Sequence, residues 1–376
     1  FVYSKGGEYT NDDEPGNLIR VSPDGKTQES IATGFRAPNG VTITPDDQIF
    51  VSDNQGNWMP ANKISLIKKG GFYGYVPTID NGGSHNGPKE YKMKPDLAAP
   101  NYPDQILPDT FDQPIIWMPQ NFDNSPGNGA KTPKDWGPMG GQLIWTSYGK
   151  GWAYQVLMQQ VDGVTQAAVA ALPFQFDAGT QRARINPHDG QYYLAGVTGW
   201  DDGFALKYGS LDRIRYKGGQ ESIIIKAVNV LNDGIEITFN NSLDPKTIKP
   251  GDFQIEQWNY QWAERYGSDQ WSVKNPDKKG HDVVEVQSVE LSSGGKTIRL
   301  KLKKEDLVPV NQMQIHLSVR SKENEAYEKT IYLTINKVPE SAFNTSSPKF
   351  NLLLGIILVG GIILISMLIY RKKNRQ

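Results

Sequence analysis

Residues 41–53 read VTITPDDQIFVSD. A run of alternating apolar and polar residues, a Pro-Asp-Asp turn and a second such run make a strand–turn–strand unit. The form returns at residues 184–197, RINPHDGQYYLAGV. A strand–turn–strand unit that recurs at a spacing of tens of residues marks propeller blades. On either side of these units, further strand-sized runs are LIRV (18–21), QLIW (142–145), AYQVLM (153–158), AAVAAL (167–172) and LDRIRY (211–216). No amphipathic helix longer than two turns is evident among them. Together these runs predict about three blade-like units over residues 1–217. A propeller usually needs at least four, so the reading expects a preceding N-terminal portion, as does a chain that starts at Phe1 without a signal peptide. A long Gly-, Pro-, Asn- and Asp-rich stretch near residues 76–113 reads as an insertion on one face of the blades.

Beyond residue 221 the pattern changes to clean period-two alternation. IIIKAVNV, GIEITFN, FQIEQW, VVEVQSVEL, TIRLKL, MQIHLSV and TIYLTINKV are seven candidate strands. Seven short strands over residues 221–338 predict an immunoglobulin-like β-sandwich. Residues 339–351 are polar and read as a linker. Residues 352–369, LLLGIILVGGIILISMLI, carry no charge and no proline. Roughly 18 apolar residues suffice for a membrane-spanning helix. The predicted span is 352–370, with Tyr370 at the interface and residues 371–376 as a basic cytoplasmic tail. The expected location is therefore a cell membrane, crossed once, with the bulk of the chain periplasmic or extracellular. The fold class is all-β: part of a propeller, a sandwich and one terminal transmembrane helix.

Composition narrows the partners. With 40 basic and 41 acidic residues the net charge is −1, which implies no nucleic-acid or anionic-surface partner. The absence of cysteine rules out disulfides, thiolate metal sites and covalently attached c-type haem within the chain.

The densest motif region is residues 34–74, where GFRAPNG (34–40), DNQG (53–56) and ISLIKKGGFYG (64–74) follow one another. In order and approximate spacing this resembles the soluble glucose/sorbosone dehydrogenase family. Those proteins are six-bladed propellers that use pyrroloquinoline quinone (PQQ) and calcium. The resemblance implies that Arg36 faces the cofactor. It also implies that Arg182 and Arg184 match the family's arginine pair, and Lys150, in SYGKG, its cofactor-binding lysine. PQQ carries three carboxylates, and arginine forks grip carboxylates bidentately. Ala37 stands where the family has asparagine, and Asn39 lies two places on. Lys150 is shifted by one residue from the family's position. Calcium, a seeker of hard oxygen ligands, would be held in the loop of Asp53, Gln55 and Gly56. The family's catalytic base, a histidine of an earlier blade, would lie ahead of residue 1. His85, in GGSHNG, is the one histidine here placed near a plausible site, whereas His188, His281 and His316 read as structural or solvated.

The implied activity is a membrane-anchored oxidoreductase. It would take a hydride from a sugar or related alcohol and pass electrons to an acceptor or haem domain outside the chain. Two other functions stay open. Residues 37–41 with Ser52 and Asp53 also resemble a gluconolactonase type of propeller, in which asparagine and aspartate ligate a metal for lactone hydrolysis. The third is a non-catalytic surface propeller that binds glycan or protein, to which the aromatic group Trp258, Tyr260, Trp262 and Tyr266 would contribute if exposed.

Overall fold

The structure is a computed structural model that describes residues 16–75, 111–198, 203–218, 222–262 and 265–340. The predicted transmembrane helix, the cytoplasmic tail, nearly all of the linker and His85 lie outside the described residues. Among the described residues no helix is long and apolar enough to cross a membrane. Among the described residues helix is confined to single 3-10 turns such as Gly137–Met139, and their fold is all-β.

Sheets like the blades of a propeller come first in the chain. A two-stranded ribbon, β1 (Leu18–Val21) with β2 (Gln28–Ala32), precedes them. Then β3 (Pro38–Ile43), β4 (Ile49–Asp53), β5 (Asn62–Leu66) and β6 (Ile116–Met118) form an antiparallel four-stranded meander. A second meander is β7 (Pro126–Lys131), β8 (Leu143–Ser147), β9 (Trp152–Val161) and β10 (Val164–Gln175). A third has three strands, β11 (Gly179–Ile185), β12 (Tyr192–Val197) and β13 (Gly209–Ile214).

The first strand of each meander abuts the first strand of the next. Thr42 Oγ1 of β3 donates to the Gly129 carbonyl at 3.0 Å and accepts from the Gly129 amide at 2.9 Å. Ala183 of β11 is bonded through its amide to Asn128 Oδ1 of β7 at 2.7 Å. The approach is close enough to demand glycine. A Cβ on Gly40 would lie 1.9 Å from the Gly127 carbonyl, and one on Gly127 would lie 2.6 Å from that of Gln181.

The later strands build two layers. One sheet orders β14 (Ile225–Val230), β15 (Gly234–Phe239), β19 (Thr297–Leu302) and β18 (Val286–Leu291). Opposite it lie β17 (Asp282–Val284), β16 (Phe253–Trp258), β20 (Val310–Arg320) and β21 (Ala326–Ile335). This second sheet does not end at β21. Ala168, Val169 and Ala170 of β10 pair with Leu333, Tyr332 and Ile331 of β21, so one eight-stranded sheet contains the whole second meander. Leu157, Ala168 and Ala170 therefore share an apolar core with Ile237, Ile255, Ile315 and Leu333.

Buried glutamines add to that join. Gln159 Nε2 donates to the Val230 carbonyl and Gln159 Oε1 accepts from the Val230 amide, both at 2.9 Å. Its side chain thus mimics a neighbouring strand. Gln166 Oε1 accepts from the amides of Asn336 and Lys337, both at 3.0 Å.

The structure also changes one strand assignment. VVEVQSVEL reads as one candidate strand, yet it forms two strands in different sheets, β17 and β18, parted at Glu285. Among the described residues eight strands thus follow residue 221 where the pattern predicts seven.

Candidate functional site

The starts of β3, β7 and β11 all carry a β-bulge. In β3, Pro38 pairs with Asp53 and Gly40 with Ser52, leaving Asn39 as the extra residue. In β11, Thr180 pairs with Gly196 and Arg182 with Ala195, leaving Gln181. In β7 the extra residue falls between Pro126 and Gly129. A bulge re-aims the side chains beside it, and here the bulged residues meet. Asn39 Oδ1 accepts from Arg182 Nη1 at 3.2 Å and lies 3.4 Å from Gln181 Nε2.

Strand alternation sets the rest. Ala183 is buried against β7, so Arg182 and Arg184 project together on the opposite, exposed side of β11. Arg184 Nη1 donates to the Ala183 carbonyl at 2.7 Å, and Arg182 Nη1 also donates to Gln181 O at 2.9 Å. Burial, and then the neighbouring Arg184 cation, pull Arg182 below its ordinary pKa. Two guanidinium groups held side by side favour an anion between them. Asn39 Nδ2 is buried without a partner, one more donor at the same place.

Arg36 is placed elsewhere. Its Nη1 donates to the Gln55 carbonyl at 3.1 Å, and its guanidinium carbon stands 5.4 Å from the centre of the Tyr266 ring. The side chain lies over Gly56, where any Cβ would collide with it at 1.9 Å. No hydrogen bond joins Arg36 to Asn39, Arg182 or Arg184 among the described residues.

The expected calcium loop is filled by donors. Gln55 O holds the Arg36 cation. Gly56 O accepts from the amides of Met59 at 3.1 Å and Gly267 at 3.0 Å. The Asp53 carboxylate accepts from the amides of Arg36 at 2.9 Å and Ala37 at 2.8 Å. Burial pushes Asp53 up in pKa, against the opposing pull of Lys63 and those amides. A calcium ion on Gln55, Gly56 and Asp53 would displace a guanidinium and break backbone bonds, so these residues do not fit the ion. Among the described residues no three or more His, Cys, Asp or Glu side chains group to hold a metal. Asn39 and Asp53 are likewise turned to different donors, Arg182 and the 36–37 amides, and do not share a lactonase-type metal position.

Lys150 adjoins a cluster that sequence reasoning missed. Its amide donates to Ser147 Oγ at 3.1 Å, and Ser147 Oγ donates to Asp123 at 2.6 Å. Asp123 is fully buried and also accepts from Tyr154 O–H at 2.8 Å and the Ser125 amide at 3.0 Å. Burial raises its pKa to about 6, although the three donors and the Lys150 charge oppose the rise. In the sequence, Asp123 sits in NFDNSPGNG, where nothing separates a buried carboxylate from a turn residue.

The described histidines stand apart from the arginines. The His188 amide donates to Asn186 Oδ1 in the β11–β12 turn. His281 stacks on Trp258 at 4.1 Å, and His316 reaches Thr330 Oγ1 at 3.2 Å. Trp258, Tyr260 and Trp262 are core residues, and of the four aromatics only Tyr266 is exposed, at 58%.

No family model matches the chain, and no curated protein matches it. Solved structures do. An oxidoreductase described as a glucose dehydrogenase, from Thermus thermophilus, is 17% identical, with 53% of this chain and 55% of that one covered at a TM-score of 0.37. The PQQ-bound form of aldose sugar dehydrogenase from Streptomyces coelicolor is 15% identical, with 48% and 46% covered at a TM-score of 0.30. The chain spans about half the length of these structures.

Proposed function

We propose that this chain is part of a membrane-anchored sugar oxidoreductase that binds PQQ through Arg182, Arg184 and Asn39. The observation that carries the reading is the pairing of two exposed arginines with an unpartnered amide donor at the bulged strand starts. Those residues fit a rigid polycarboxylate. Arg182 and Arg184 would each take a carboxylate as a fork, and Asn39 Nδ2 would donate to a third acceptor. When bound, PQQ supplies a quinone that accepts the electrons of the oxidised alcohol.

The chain's own part is binding and orientation. Asn39 Oδ1 fixes the Arg182 fork before any ligand arrives, which lowers the ordering cost of binding. Asn128, bonded through Oδ1 to the Ala183 amide, holds β11 so that both arginines keep one direction. Lys150 lies next to the Ser147–Asp123 pair and is given no part in holding the group. Arg36 is a brace for the 53–56 loop in this reading.

The apolar run at 352–369 and the basic tail after it support a tether with the blades on the non-cytoplasmic side. The test is binding of PQQ to the full chain in detergent, followed by dye reduction with a panel of sugars. The expected result is saturable binding that Arg182→Ala and Arg184→Ala each weaken at least tenfold. A wild-type protein that binds no PQQ, or variants that bind it equally well, would sink the proposal.

A further inference from the structure

A pocket of about 290 Å³ opens between the 55–61 loop, the 119–121 segment and the loop that joins β16 to β17. It is separate from the arginine pair and shares no lining residue with it. Small-molecule sites begin at roughly this size, which suits one or two sugar rings.

The lining is amide-rich. Gln55, Gln120, Asn121 and Gln270 all face the space. The side chains of Gln55 and Gln120 make no hydrogen bond to other described residues. Gln270 offers its Oε1 to His281 Nε2 at 2.5 Å, and Glu256 holds the other ring nitrogen at 2.8 Å. The Gln270 amide is thereby oriented with its NH₂ group left over. A carboxamide presents both a donor and an acceptor, the pattern that a vicinal hydroxyl pair can answer on both counts.

The charges point the same way. Asp269 also lines the pocket, but Arg265 at 3.0 Å and Lys279 at 2.5 Å neutralise it. Every other residue that lines the pocket is uncharged. Pro60, Ala61 and Pro119 give apolar wall for the C–H face of a ring. The walls are fixed to one another, since Gly267 N–H donates to Gly56 O at 3.0 Å and Ser268 N–H to Pro60 O at 2.9 Å.

We propose that this pocket binds a neutral saccharide. The site goes beyond the oxidoreductase reading and does not depend on it, because it involves neither Arg182 nor Arg184.

The test uses the full chain in detergent, with isothermal titration and ligand-observed NMR. The probes are glucose, maltose and cellobiose, with galacturonate and choline as charged controls. Saturable binding of at least one neutral sugar is expected, without competition from the charged controls. The double variant Gln120→Ala/Asn121→Ala changes two exposed residues and is expected to lower that affinity at least tenfold. Arg182→Ala is expected to leave it unchanged. The proposal is overturned if no neutral sugar binds at tens of millimolar, if the charged controls bind as well, or if the folded double variant binds like the parent. Loss of sugar binding in Arg182→Ala would overturn it too, by assigning the sugar to the arginine site.

Discussion

Asp123 shows how much one side chain can hold in place. Its carboxylate gathers Ser147, Tyr154 and the Ser125 amide, while its carbonyl accepts from Asn62 Nδ2 of β5 at 2.6 Å. The first and second meanders therefore meet at one buried residue. Its pKa of about 6 in the folded chain stands above the ordinary 3.8. Between those values the folded chain keeps a proton that the unfolded chain has released, so stability falls as pH rises from about 4 to about 6 and stays lower above. Two units correspond to about 3 kcal/mol. Asp123→Asn keeps an acceptor for Ser147 and offers Tyr154 a donor, and it cannot titrate. Urea unfolding of both proteins at pH 4 and pH 7 should show the parent losing about 2 kcal/mol relative to the variant over that interval. Parallel pH profiles would discard this account. The Arg182–Arg184 pair was legible because residues two apart share a strand face. The Asn39 contact was not, because it arises from a bulge that no local pattern announces.

At the scale of elements, the sequence shows a strand where side chains alternate and conceals it where the backbone does the packing. β4 and β8 stand out as apolar runs and are buried almost throughout. β7 reads PGNGAK, which looks like a turn. It is a strand because the neighbouring first strands come so close that only glycine fits at Gly127. The reverse holds for VVEVQSVEL, a strand-like run that hides a change of sheet, since period-two patterning says which face is buried but not which neighbour pairs. Gln159 is a third case, a polar residue in an apolar strand that serves as a substitute backbone for β14. Gln159→Leu would strand the buried amide and carbonyl of Val230. Each such group costs about 1–3 kcal/mol, so a loss of about 3 kcal/mol in urea unfolding is expected. A change within about 0.5 kcal/mol, the range of a surface substitution, would show that the contact contributes little.

For the whole molecule, pairing overrides the visible seam in the sequence. The pattern changes near residue 217, yet β10 and β21 carry one sheet across it, and residues 16–339 lie within one compact unit. The core agrees. Trp117 meets Trp262 edge-on at 5.5 Å, and Phe122 meets Tyr332 at 5.2 Å. A chain cut after Lys217 would expose the β10 edge and that aromatic cluster. We expect it to aggregate, and the longer chain to unfold in a single calorimetric transition. Two resolved transitions, or a folded 1–217 product, would show that the halves are independent. β21 also sits between two antiparallel neighbours, β10 and β20. Their hydrogen bonds run perpendicular to the strands, so a pull on residue 339 along the strand axis strains both ladders in shear at once. Under tension the rate of rupture governs survival, and this placement makes the last strand of the sheet a mechanical clamp.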